Sequence, residues 1–272
     1  MASRNVRILP LVLALMAGNS LAQLAETELA FDHYVASAES RIARQRSSAD
    51  SFLQLNSFPA EKRDQVLNRL KRGDTMIDKR TDGAAAIPGG LLHDWVGTVF
   101  IPGASVERVL DVVKDYDHTA RYYSPDVTSS RLISHNGDEM QVFMRLRKHK
   151  VVTVVLDTEY DVHYARLDES HQYSLSRSTR VSEVAEPGGA NEHDLAKGKD
   201  HGFMWRLNTY WAFEQADGGV FVECEAISLT RDIPTGLDWL IGPFVNGIPR
   251  ESLQFTLEAT RRAMSAVARN QQ

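Results

Sequence analysis

Trp205-Arg206-Leu207-Asn208-Thr209-Tyr210-Trp211-Ala212-Phe213, followed by Asp217-Gly218-Gly219 and Val220-Phe221-Val222-Glu223-Cys224-Glu225-Ala226-Ile227-Ser228-Leu229, is the stretch on which the fold turns. Its sidedness has a period of two. Trp205, Leu207, Thr209, Trp211 and Phe213 share one face, and the Asp-Gly-Gly turn folds the second run back on the first. Upstream, Met140, Val142, Met144 and Leu146 alternate with polar residues, as do Val152, Val154, Leu156, Tyr160, Val162 and Tyr164, giving each strand one dry and one wet face. His171 to Val184 reads as a weaker strand and Trp95 to Phe100 as the first. The sheet is expected to be antiparallel and meander-like.

Helical spacing brackets the sheet. Ser105 is placed to cap a short helix with the stripe Val106, Val109, Leu110 and Val113, followed by an aromatic turn containing Tyr116, Tyr122 and Tyr123. Downstream, Pro234 to Val245 predicts a short helical segment broken around Asn246-Gly247. Pro249 is then expected to start a last helix with the stripe Leu253, Thr256, Leu257, Thr260 and Met264. Such an amphipathic helix needs a sheet to lie on. Between the strands, Glu186 to Gly202 is a Gly-rich charged connection, readable as a lid or as a solvated excursion.

A strand, a short helix, an antiparallel sheet and a long amphipathic terminal helix form the element order of an α+β helix-grip fold. The segment Val109-Leu110-Asp111-Val112-Val113-Lys114-Asp115-Tyr116, with Tyr123-Ser124-Pro125-Asp126-Val127, resembles the opening of START-like and cyclase/dehydrase-type (SRPBCC) domains, including the ubiquinone-binding group. Gly202 to Trp211 and Val222 to Pro234 resemble a secreted bacterial branch of the same superfamily. The resemblance spans about Leu91 to Val267. It implies a curved antiparallel sheet wrapped on the C-terminal helix, enclosing a cavity whose ligands are usually apolar; the superfamily's functions are diverse, so the fold alone names none.

Ahead of that domain, Phe31, Tyr34, Val35, Ala38 and Ile42 fall at helical spacing between Glu26 and about Arg46, with Thr27 placed as a cap. A second helix begins near Pro59, carries Val66, Leu67 and Leu70, and stops at Gly73. The first 22 residues hold Arg4 and Arg7, no acid, an apolar run from Ile8 to Ala17, and the ending Asn19-Ser20-Leu21-Ala22. That order predicts a cleavable export signal rather than a membrane span, which needs about 20 apolar residues. Gln23, not Cys, follows the expected cut, which argues against a lipid anchor. The expected organisation is a signal at 1–22, a helical segment at 23–82, a linker at 83–90, the START-like domain at 91–267 and a tail at 268–272.

Loss of the signal leaves 29 basic against 36 acidic residues, a charge of −7 that disfavours non-specific nucleic-acid binding. The single Cys224 permits no intramolecular disulfide. No metal-ligand spacing, phosphate loop or nucleophile elbow occurs, so no metal, no cofactor and no catalytic residue are assigned. The expected pocket lining is Met144, Leu146, Val154, Leu156, Tyr160, Trp205, Leu207 and Trp211 from the sheet, with Leu253, Leu257 and Met264 from the helix; simple core packing is the competing reading for each. Tyr116, Tyr122 and Tyr123 are candidates for a gate. Glu223 and Glu225 share a face, either as acid and base in the pocket or in a structural role, in solvent or against Arg206 and Arg177.

The functional expectation is an exported, periplasmic or extracellular carrier of a lipid, quinone-like or other apolar molecule. The alternatives are a cyclase or lyase using the same cavity, with Glu223, Glu225, His118 or His163 as proton shuttle, and an envelope module docking a protein partner through its N-terminal helices.

Overall fold

The computed structural model describes residues 21–80, 86–150, 152–232 and 238–269. Residues 1–20 of the expected signal, and 270–272 of the expected tail, lie outside these. In chain order the elements are α1 (Leu21–Gln45), α2 (Ala60–Lys71), β1 (Met76–Lys79), β2 (Ala86–Ile87), β3 (Gly90–Pro102), α3 (Val106–Lys114), α4 (Thr119–Tyr122), β4 (Val127–Asn136), β5 (Glu139–His149), β6 (Thr153–Arg166), β7 (His171–Ala185), β8 (His193–Asp194), β9 (Arg206–Ala216), β10 (Gly219–Arg231) and α5 (Asp238–Arg269). The sheet runs β1-β3-β10-β9-β7-β6-β5-β4, with β2 on β3 and β8 on β7. Every described pairing is antiparallel. The hairpin expected around Asp217-Gly218-Gly219 is β9-β10, with Trp211 opposite Cys224, Thr209 opposite Ala226 and Leu207 opposite Ser228.

Strands this long twist, and register shifts in β4 and in the β6-β7 pairing add curvature, so the sheet wraps around α5. This is the α+β helix-grip fold that the element order predicts. On the concave face Val99, Val142, Val162, Phe213 and Val222 pack with Val109 and Val113 of α3 and with Leu253, Leu257 and Met264 of α5. Ser105 caps α3 as expected, its hydroxyl accepting from the Arg108 N–H.

The convex face is covered too. Leu24, Phe31, Val35, Ala38 and Ile42 of α1 bury themselves against Leu92, Trp205, Tyr210, Ile227 and Leu229. Beside them Phe52, Leu53 and Leu55, with Val66 and Leu70 of α2, cover Phe100, Ala212 and Phe221. The central strands are thus buried on both sides, where alternation suggests one wet face.

Three local readings are corrected. Thr27 does not cap α1: it lies inside the helix, buried, and its hydroxyl donates to the Pro88 carbonyl at 2.6 Å. The predicted break at Asn246-Gly247 is absent, and α5 runs through Pro249. A proline removes one backbone donor from a helix, and here that loss does not end it. The 23–82 segment is not wholly helical, because β1 pairs with β3 in register from Met76–Thr98 to Lys79–Trp95 and forms a sheet edge.

Candidate functional site

The concave face and α5 do not close on each other along their whole length. At Gly97 they do. A side chain there would meet Ile77 and Leu257, each 2.5 Å from where its Cβ would stand, so the glycine lets β1, β3 and the helix come together. Further along β10 the residues facing α5 are Cys224, Ala226, Ser228 and Thr230, too small to reach the helix. The space they leave is a cavity of about 360 Å³, within the ~300–1,000 Å³ typical of small-molecule pockets.

Leu207, Thr209 and Trp211 extend this floor, Met144, Leu146, Val154, Leu156, Tyr160, Val162 and Tyr164 form the wall, and Leu253 and Thr256 of α5 form the roof. Eight residues expected in the lining are therefore there: Met144, Leu146, Val154, Leu156, Tyr160, Leu207, Trp211 and Leu253. Three others are elsewhere. Trp205 precedes β9, so the strand's alternation does not reach it; it packs against the α1 side, and its indole N–H donates to Asp200 at 2.7 Å. Leu257 and Met264 lie on the C-terminal half of α5, in the dense core past the point where helix and sheet meet.

Of the three expected gate tyrosines, Tyr116 and Tyr123 line the cavity and Tyr122 does not. The Tyr116 hydroxyl bonds Tyr164 across the cavity end at 2.7 Å, and Tyr123 bonds Thr260 of α5 at 2.9 Å. Tyr122 donates to Asp115 at 3.0 Å. Burial pushes Tyr123 and Tyr160 up to about 12 and moves Tyr116 and Tyr164 upward as well, so all four phenols stay protonated and serve as neutral hydrogen-bonding groups.

The carboxylates face away. Glu223 and Glu225 point from β10 to the convex side, both buried. Neither meets Arg206 or Arg177, which pair with Asp32 and Glu39 of α1. Glu225 instead receives Arg41 and Arg80, and Glu223 receives the Gln45 side chain at 3.2 Å and the Gln54 N–H at 2.8 Å. His118 pairs with Asp115 and His163 with Glu139, both exposed and off the cavity. Burial raises the Cys224 thiol, which sits in the floor as a small neutral group. No group of three or more His, Cys, Asp or Glu residues is placed to hold a metal among the described residues. No described helix is long and apolar enough to cross a membrane.

The 186–202 connection contributes what alternation could not find. Gly202 and the next two residues, Phe203 and Met204, line the cavity. The connection is fastened by Arg145, whose guanidinium bridges Asp157 at 2.7 Å and Glu192 at 2.9 Å. Buried Glu183 accepts from the N–H groups of His201 and Phe203.

No family model matches the chain, and no curated protein matches it. Among solved structures it is similar to a fragment of a STAR-related lipid transfer protein from Xanthomonas axonopodis, at 18% identity over 70% of this chain and 98% of that one, with a TM-score of 0.47. It is similar to the Zhui aromatase/cyclase of Streptomyces sp. R1128, at 15% identity over 64% of this chain and 94% of that one, with a TM-score of 0.41. Human STARD10 is similar at 9% identity over 79% and 83%, with a TM-score of 0.42. START-domain and aromatase/cyclase proteins are thus among its structural neighbours.

Proposed function

We propose that this protein binds and carries an apolar small molecule, such as a lipid or quinone-like compound, between its sheet and its terminal helix. The observation that carries this reading is the cavity left by Cys224, Ala226, Ser228 and Thr230 beneath α5, walled by aliphatic and aromatic side chains. Affinity would come from burial, roughly 25 cal/mol per Å² of apolar area removed from water. The cyclase reading is the weaker one, because the four groups named as its proton shuttles all lie off the cavity. The same proposal places the carrier outside the cytoplasm, on the basic-then-apolar order of the first 22 residues alone.

Native mass spectrometry of the chain purified from its own host, with solvent extraction of what it holds, tests the carrier. Co-purified apolar material supports it. Empty protein that also fails to bind apolar fluorescent probes overturns it. Recovery of the processed chain, starting near Gln23, from an envelope or medium fraction supports export, and recovery of the unprocessed chain in the cytoplasm refutes it.

A further inference from the structure

One cation in the cavity lining stands apart. Arg231, at the end of β10, is 5% exposed. Its Nε has no hydrogen-bond partner, and no carboxylate pairs with it among the described residues. Among the described residues the one hydrogen bond its side chain makes is a long one, from Nη2 to the Asp200 carbonyl at 3.5 Å, and its guanidinium lies 5.6 Å from the centre of the Trp205 ring. The Asp200 carboxylate is engaged elsewhere, accepting from the Trp205 indole at 2.7 Å and the Gly198 N–H at 3.0 Å. Gly202, held at φ +75°, lies against Arg231, where any larger side chain would collide with it.

The other basic residues of the lining differ. Lys148 is already paired with Asp126 at 2.6 Å, and Arg147 is exposed to water. A buried guanidinium without a counter-charge is costly, and its planar donor set matches a carboxylate or phosphate. We infer that Arg231 is the headgroup site of the cavity, and that the cargo is an amphiphile whose acidic head, carboxylate or phosphate, meets Arg231 while its apolar body lies along the floor of β9 and β10.

This inference rests on the carrier reading of the same cavity, and the test separates the two. Fluorescence titration of the purified full chain with cis-parinaric acid and with its methyl ester compares two probes that differ in head charge alone. The acid is expected to bind at least about tenfold more tightly. Arg231→Met is expected to lower acid affinity by about tenfold and leave the ester unchanged, while Arg231→Lys keeps most of the preference. Equal binding of acid and ester by the native chain, which needs no variant to fold, overturns the headgroup site and leaves the carrier standing. Loss of neither affinity nor preference in a folded Arg231→Met chain overturns it as well. Failure of both probes overturns the carrier and the inference with it. Displacement of the bound acid by oleic acid or by oleoyl lysophosphatidic acid then assigns the head as carboxylate or phosphate; displacement by neither counts against the site.

Discussion

Arg41 on α1 and Glu225 on β10 form an ion pair across the convex face, with Arg41 Nη1 3.1 Å from Glu225 Oε2. One turn along the helix, Gln45 reaches Glu223 at 3.2 Å. The spacings match because four residues of helix rise about 6 Å and two residues of strand about 6.6 Å, so an i, i+4 pair lies over an i, i+2 pair. Arg41→Met leaves Glu225 buried with Arg80, 3.2 Å away, as its remaining ion-pair partner among the described residues. The expected cost is about 2 kcal/mol in urea unfolding, below the ~3–5 kcal/mol of a fully orphaned charge. The Arg41→Met/Glu225→Gln double variant should recover part of that loss. Strictly additive single and double variants would show that the pair contributes nothing of its own.

Glu223 gives the fold a pH dependence. Burial pushes its carboxyl up to about 7, against the opposing pull of the Gln54 N–H and the Arg46 guanidinium. The folded chain therefore holds this proton after the unfolded chain has released it. The resulting stability is full below about pH 4.5 and is lost as the pH climbs through 7. His93 works in the opposite sense: burial pushes it down to about 4, so its neutral form weakens the fold as pH falls from about 6.5 towards 4. The difference between Glu223→Gln and the native chain isolates the carboxyl. That difference should be near zero at pH 4 and stabilising by about 3 kcal/mol at pH 8. An equal difference at both pH values would refute it.

How far the sequence reveals the site follows from where each residue sits. Leu207 and Trp211 lie within a regular strand, and Leu253 on a regular helix, so period alone puts them on the cavity side. Trp205 stands one residue before its strand, and there the same rule fails. Phe203 and Met204 belong to an irregular connection, which has no period to read. The length of α5 over which helix and sheet close is set by Gly97 and by the small residues of β10, a matter of volume across two elements distant in sequence. The covered convex face was hidden because Glu223 and Glu225 look like solvent residues on an alternating strand. The matched spacing of Arg41 with Gln45 is the signal that could have shown what they face.

The cavity and the core beside it should respond oppositely to substitution. Ala226→Leu places extra volume in the open floor and is expected to lower the affinity for an apolar fluorescent probe by about tenfold or more. Its melting temperature should be unchanged or higher, because the added side chain fills space without crowding a packed core. Leu257→Ala removes a side chain that is fully buried on the closed part of α5, and should cost about 3 kcal/mol while leaving probe affinity within about twofold. Native affinity in Ala226→Leu would mean that the probe binds elsewhere.

The role of α1 divides at two neighbouring positions. Phe31 is fully buried against the sheet, with the Arg206 guanidinium 5.1 Å from its ring centre, whereas Leu29 is 56% exposed on the outer face. If α1 is a fixed layer of this domain, Phe31→Ala should cost about 3–5 kcal/mol, and Leu29→Ala should change stability by no more than about 0.5 kcal/mol. If α1 instead leaves the sheet to dock a partner, Phe31→Ala would be tolerated and Leu29 would lose nothing by comparison. Chemical denaturation of the two variants side by side decides between a layer and a detachable arm. The shared core of Leu24, Phe31, Val35, Ala38 and Ile42 with Leu92, Tyr210, Ile227 and Leu229 predicts the layer, since detachment would return both faces to water together.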